Sequence, residues 1–85
     1  MELQAQFEAA VAGSKQLAEK PSNEVLLKLY SLYKQATEGD NVSDGPANPF
    51  DFVGKAKHDA WESLKGTSKD SAMEQYVKLV NELKG

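Results

Sequence analysis

Tyr30, Tyr33 and Lys34 fall at positions i, i+3 and i+4, so in a helix they share one face on which two aromatic rings flank an ammonium group. Such a face suits a flat, anionic ligand. Lys57 and Trp61 repeat the pairing four residues apart in Gly54-Lys55-Ala56-Lys57-His58-Asp59-Ala60-Trp61, and two such pairs in 85 residues point to a single site. Lys15 sits beside Val11 in a third segment. Three lysines bordering three apolar faces could converge on a phosphorylated head group. His58 is the only histidine and there is no cysteine, so no metal or catalytic role is expected of it.

Four helices have to position these residues. The first is expected from Leu3 to Leu17 or Ala18, with Leu3, Phe7, Ala10, Val11, Ser14 and Leu17 on one face and Gly13 as a modest weakness. Ser22 reads as the N-cap of a second helix that runs to about Thr37 and closes on Gly39. Gly45, Pro46 and Pro49 make 40–51 a loop. A third helix spans Asp51 or Phe52 to Leu64 or Lys65 and stops at Gly66. Thr67, with Asp70 three residues on, then reads as the capping box of a fourth helix that reaches the C-terminus. The spacing gives no strand and no internal repeat.

The second helix has more apolar surface than a small bundle needs. Val25, Leu29, Leu32 and Ala36 make a sufficient core stripe, yet Leu26, Leu27, Tyr30 and Tyr33 carry the arc further round. Only Lys28, Ser31 and Gln35 remain as a polar side. Either this helix packs against two neighbours or a ligand covers part of it. In the third helix Val53, Ala56, Ala60 and Leu64 read as core. In the fourth, Ala72, Met73, Tyr76, Val77, Leu79, Val80 and Leu83 form the buried stripe.

Composition bounds the rest. Eighty-five residues make one domain, 1–85, with a thin core, and 40% hydrophobic against 27% charged residues fits a soluble fold. A net charge of −3 with lysine as the only basic residue argues against nucleic acid. The start Met1-Glu2-Leu3-Gln4-Ala5-Gln6 lacks the pattern of a signal peptide, and no apolar run is long enough to span a bilayer, so the expectation is cytoplasmic and without stable membrane insertion. The segment 40–51 only faintly echoes a calcium loop, since Val42 and Asp51 replace needed ligands. Gly54-Lys55 is not a P-loop.

The runs from Tyr30 to Asp40, from Phe52 to Trp61 and from Leu64 to Met73, together with the Phe7 helix and the Lys20-Pro21-Ser22 junction, closely resemble the acyl-CoA-binding protein family over essentially the whole chain. The resemblance implies an all-α, four-helix up-down-down-up bundle that binds long-chain acyl-CoA in an open bowl, as a monomeric carrier that performs no catalysis and needs no cofactor. It implies that Tyr33 stacks on the adenine while Tyr30, Lys34 and Lys57 hold the phosphorylated ribose, with Lys15 assisting. Ser31 and Leu32 belong to the same ligand-contacting run, Tyr76 contacts the ligand from the last helix, and Val11, Leu26 and Leu27 line the acyl channel. His58 departs from the tryptophan common at its position, and the connection 40–50 is about one residue longer than usual. The chain is expected to end at Leu83-Lys84-Gly85 without a fused domain.

Two other readings stay open on the residues alone. The surplus face could bind a partner helix. A thioesterase acting on the same ligand would need a nucleophile and supporting base, and the sequence offers no such constellation. Helical spacing by itself favours packing over ligand contact for aromatic residues, and for Trp61 packing is the preferred role.

Overall fold

The computed structural model describes every residue except 1, 18, 43, 44, 46, 47 and 85. Four helices are present, α1 (Leu3–Ser14), α2 (Asn23–Glu38), α3 (Phe52–Glu62) and α4 (Lys69–Lys84), and the described residues contain no strand.

Local chemistry accounts for most of the boundaries. The Ser22 hydroxyl accepts the Val25 N–H at 3.3 Å to open α2, and the Gly39 N–H donates to the Gln35 carbonyl at 3.1 Å to close it. Asp51 caps α3 by accepting the Gly54 N–H at 2.9 Å. Any Cβ at position 54 would collide with that carboxylate, which explains the glycine. α1 ends at Ser14, short of the expected Leu17 (Ala18 lies outside the described residues). There the Ser14 hydroxyl bonds back to the Val11 carbonyl at 2.7 Å, and the next N–H groups, of Lys15 and Gln16, bond three residues back to Ala12 and Gly13 in a tightened last turn.

The cap of α4 requires a correction. Ser68, not Thr67, accepts the N–H three residues on, from Ser71 at 3.1 Å. Thr67 instead offers its carbonyl to the side chain of Gln35 at 2.7 Å.

Cross-helix contacts set the topology. Trp61, at the end of α3, donates its indole N–H to the Gly39 carbonyl at the end of α2 (2.9 Å), while the starts of both helices line one hollow, so α2 and α3 run parallel. Gln35 near the end of α2 meets Thr67 before the start of α4, so those two are antiparallel. Gly13 lies close to Lys84 and Val80, and Phe7 meets Tyr76, which makes α1 parallel to α4. The order is up-down-down-up, in a slab whose Cα extents are 40 × 28 × 15 Å.

Phe7, Ala10, Leu29, Leu32, Ala36, Ala72, Met73, Tyr76 and Val80 form the core, drawn from α1, α2 and α4. α3 contributes no buried residue. Val53, expected in the core, is 66% exposed, because α3 packs only against α2 and the start of α3 borders an open hollow between the two helices. The polar side expected for α2 holds at exposed Lys28 but not at its other two residues. Ser31 and Gln35 are both buried, because α2 is the middle helix, with α4 on one flank and α3 on the other.

Gln35, wholly buried, donates from its amide nitrogen to Asp40 Oδ1 at 2.8 Å as well as to the Thr67 carbonyl. Asp40 Oδ1 also accepts the Gly66 N–H at 2.9 Å, and Gly66 reaches it from φ +93°, a conformation natural only to glycine. With Trp61 on Gly39, these bonds latch the end of α2 to the α3–α4 turn. The Gly66 N–H first, and the Gln35 amide second, hold the Asp40 carboxyl below its ordinary value.

Candidate functional site

A hollow of about 410 Å³ opens between the parallel helices α2 and α3. Asn23, Leu26, Leu27 and Tyr30 line one wall, and Phe52, Val53, Ala56 and Lys57 line the other. A second, of about 300 Å³, lies between the end of α1, α2 and α4, lined by Val11, Ser14, Lys15, Leu26, Leu29, Tyr30, Tyr33 and Tyr76. Leu26 and Tyr30 line both, so the two hollows meet in one trough across α2.

Tyr30 stands at the junction. The Lys57 ammonium lies 5.3 Å from the centre of its ring, across from α3. Tyr33, one turn on, stacks on Phe7 with centroids 6.0 Å apart and remains 40% exposed. Phe7 in turn packs edge-on against buried Tyr76 at 5.2 Å. The Tyr76 hydroxyl donates to Ser14 Oγ at 3.1 Å, and the Ser14 hydroxyl in turn donates to the Val11 carbonyl. Tyr33 is thus backed by a fixed aromatic stack while much of its ring stays open to solvent.

Lys34 lines neither hollow and is held elsewhere. Its ammonium pairs with Glu38 one turn on and lies 5.0 Å from the centre of the Trp61 ring. The hydrogen bond to Glu38 raises its pKa above the ordinary 10.5, with smaller electrostatic contributions from the Tyr30 and Tyr33 hydroxyls. Trp61 fulfils the packing role read from the sequence, as a strut between α3 and the end of α2.

Among the expected ligand contacts, Lys15, Tyr30, Tyr33, Lys57 and Tyr76 line the trough, as do Val11, Leu26 and Leu27. Two do not. Leu32 is 1% exposed in the core, and Ser31 is buried with its hydroxyl on the Lys28 carbonyl at 2.9 Å. On a helix, neighbours of Tyr30 and Tyr33 in sequence point 100° away from them, and here that direction is inward.

Sequence reasoning missed Phe52, Val53, Ala56 and Ser14 as lining residues. A signal existed in α3, since Val53, Lys57 and Trp61 stand at i, i+4 and i+8 on one face and a ligand role for Lys57 draws Val53 with it. His58 packs beneath Gly45, its Nδ1 3.5 Å from the Asp59 carboxylate. Asp44, part of the calcium-loop echo, lies outside the described residues, and among the described residues no cluster of three acids or histidines could hold a metal. Nor is any described helix long and apolar enough to cross a membrane.

A larger and shallower hollow of about 490 Å³ lies on α1 and α4 among Leu3, Gln6, Glu74, Val77, Lys78, Asn81 and Glu82. Its two carboxylates against one lysine oppose an anionic ligand, whereas the trough carries Lys15 and Lys57 and no acid among its lining residues.

Residues 4–80 match the family model described as acyl CoA binding protein. The chain is similar to acyl-CoA-binding protein homolog 1 of Caenorhabditis elegans, 53% identical over 77 residues that cover 91% of this chain and 88% of that protein. It is 49% identical over 78 residues to an acyl-CoA-binding protein of Dictyostelium discoideum, covering 91% of this chain and 90% of the other. Its fold superposes on the crystal structure of Oryza sativa acyl-CoA-binding protein 2 with a TM-score of 0.90 at 40% identity, over 96% of this chain and 90% of that one.

Proposed function

Because this chain belongs to the acyl-CoA-binding protein family, we propose that it binds long-chain fatty acyl-CoA esters without covalent chemistry and carries them as a cytoplasmic monomer. The observation that supports this best is the trough itself. An apolar hollow and an aromatic, lysine-edged hollow meet at Tyr30, matching a ligand whose one half is hydrocarbon and whose other half is a phosphorylated nucleotide.

Each half has its counterpart. The acyl chain lies on Val11, Leu26 and Leu27, extended by Phe52, Val53 and Ala56, where each buried methylene contributes about 0.8 kcal/mol by leaving water. The purine stacks on Tyr33, which Phe7 already holds in place. Lys57 and Lys34, either side of Tyr30, take the phosphates, with Lys15 at the far edge and Tyr76 below. Ammonium–phosphate hydrogen bonds are charge-assisted, and they offset the mildly repulsive net charge only where the lysines converge. On this reading the ester is carried intact, and among the described lining residues none pairs a nucleophile with a supporting base.

A calorimetric series of acyl-CoA esters from eight to eighteen carbons tests the reading, with the ester assayed for hydrolysis after incubation. We expect saturation at one equivalent, affinity that climbs with chain length, and recovery of intact ester. Affinity independent of chain length would contradict the apolar half of the site, and release of free CoA would make the protein an enzyme.

A further inference from the structure

Lys34 and Lys57 are not equivalent in the free protein. Lys57 rests over the Tyr30 ring, facing the trough. Lys34 is drawn to Glu38, one helical turn away from Tyr30, and its charge is also sheltered by the Trp61 ring. Tyr30 lies four residues before Lys34 and Glu38 four residues after, so the ammonium cannot serve both directions at once. A phosphate over Tyr30 has to draw Lys34 off its carboxylate.

The exchange is cheap enough to occur. The Lys34 side chain is 26% exposed and Glu38 53%, which leaves the pair in contact with water. Lysine preceding glutamate by four is also the weaker order for a helical pair, and an acid in the last turn of α2 faces the negative end of the helix dipole. Trp61 fixes the pivot, since its indole N–H is anchored on Gly39 and its ring stays in place whichever way the ammonium points. The raised pKa of Lys34, caused first by Glu38, fits a contact that is made before any ligand arrives.

We propose that Glu38 is a built-in competitor for Lys34, a carboxylate that occupies the ammonium in the free protein and must be displaced by the phosphorylated end of the ligand, so that it sets head-group affinity and its salt dependence. This rests on the proposed role of Lys34. Among the described residues no carboxylate pairs with Lys57, so the effect acts through Lys34.

The test is calorimetry with hexadecanoyl-CoA on the wild type, Glu38→Gln, Lys34→Met and the double variant, at low and at high NaCl. Glutamine keeps the size and helix preference of glutamate while removing the charge. Glu38→Gln is expected to bind about two- to fivefold more tightly at low salt, the scale of a surface ion pair, with the gain fading as salt screens the pair. In the Lys34→Met background the same change should give no gain. Loss of affinity in Lys34→Met with no gain from Glu38→Gln overturns the competitor and leaves the head-group reading standing. No loss in Lys34→Met overturns both. A gain from Glu38→Gln that persists without Lys34 assigns the effect to general charge and also overturns the proposal. Unfolding curves of all four proteins separate binding from any stability gained at the end of α2.

Discussion

Tyr30 is approached from α3 by Lys57 and shares its helix face with Lys34, while Leu29, its neighbour in sequence, points into the core. That contrast gives a residue-scale prediction. Leu29→Ala should cost roughly 2–5 kcal/mol in urea unfolding, as buried leucine truncations do, whereas Tyr30→Ala should lose more in acyl-CoA affinity than in stability. Tyr33→Ala should behave like Tyr30→Ala with a somewhat larger stability cost, because it also strips the stack from Phe7. The reverse ranking would mean that core and site have been exchanged. The positions of Tyr30, Tyr33 and Lys34 on one face were legible from spacing alone. The burial of Leu32 was legible too, from the core stripe, but that of Ser31 and Gln35 was not, because a wheel shows which residues face together but not how many neighbours the helix has.

Helix boundaries rest on identifiable bonds, and two of these separate the observed arrangement from the one the sequence suggested. Ser68→Ala should cost about 0.5–2 kcal/mol through loss of the cap on α4, while Thr67→Ala should cost little, since Thr67 contributes its backbone carbonyl. Both Ser and Thr cap helices well, so composition could not choose between adjacent candidates; the closing turn at Gly66 did. The latch at Asp40 predicts a pH effect. Its carboxyl is held below the ordinary 3.8 in the fold, so the folded state resists protonation more than the unfolded chain does. The stability it contributes is therefore present above that value and lost as pH falls through the lowered one. Asp40→Asn, which keeps an oxygen acceptor, should flatten the fall in unfolding free energy as pH drops below the ordinary 3.8. An unchanged slope would place the acid sensitivity elsewhere. α3 shows the remaining limit of sequence reasoning: Val53 and Ala56 have core-like types and spacing, yet only the packing of three helices against each other, with α3 outside, reveals that those residues face a trough.

At the scale of the whole molecule, a slab of three packed helices with α3 laid along one side leaves an open channel, and a negative chain presents lysines at its edges. The four helices were legible because each carries an apolar stripe and α2, α3 and α4 are opened by capping residues, while their up-down-down-up order was implied by the family resemblance. The trough was legible only as surplus apolar surface on α2, since its far wall belongs to another helix. The most direct test is to map intermolecular nuclear Overhauser contacts from hexadecanoyl-CoA on the labelled protein at saturation. We expect acyl-methylene contacts to Leu26 and Leu27, continuing to Val53, and purine contacts to Tyr33 in the same complex. Contacts gathered instead on Leu3 and Val77, in the hollow between α1 and α4, would contradict the proposed site.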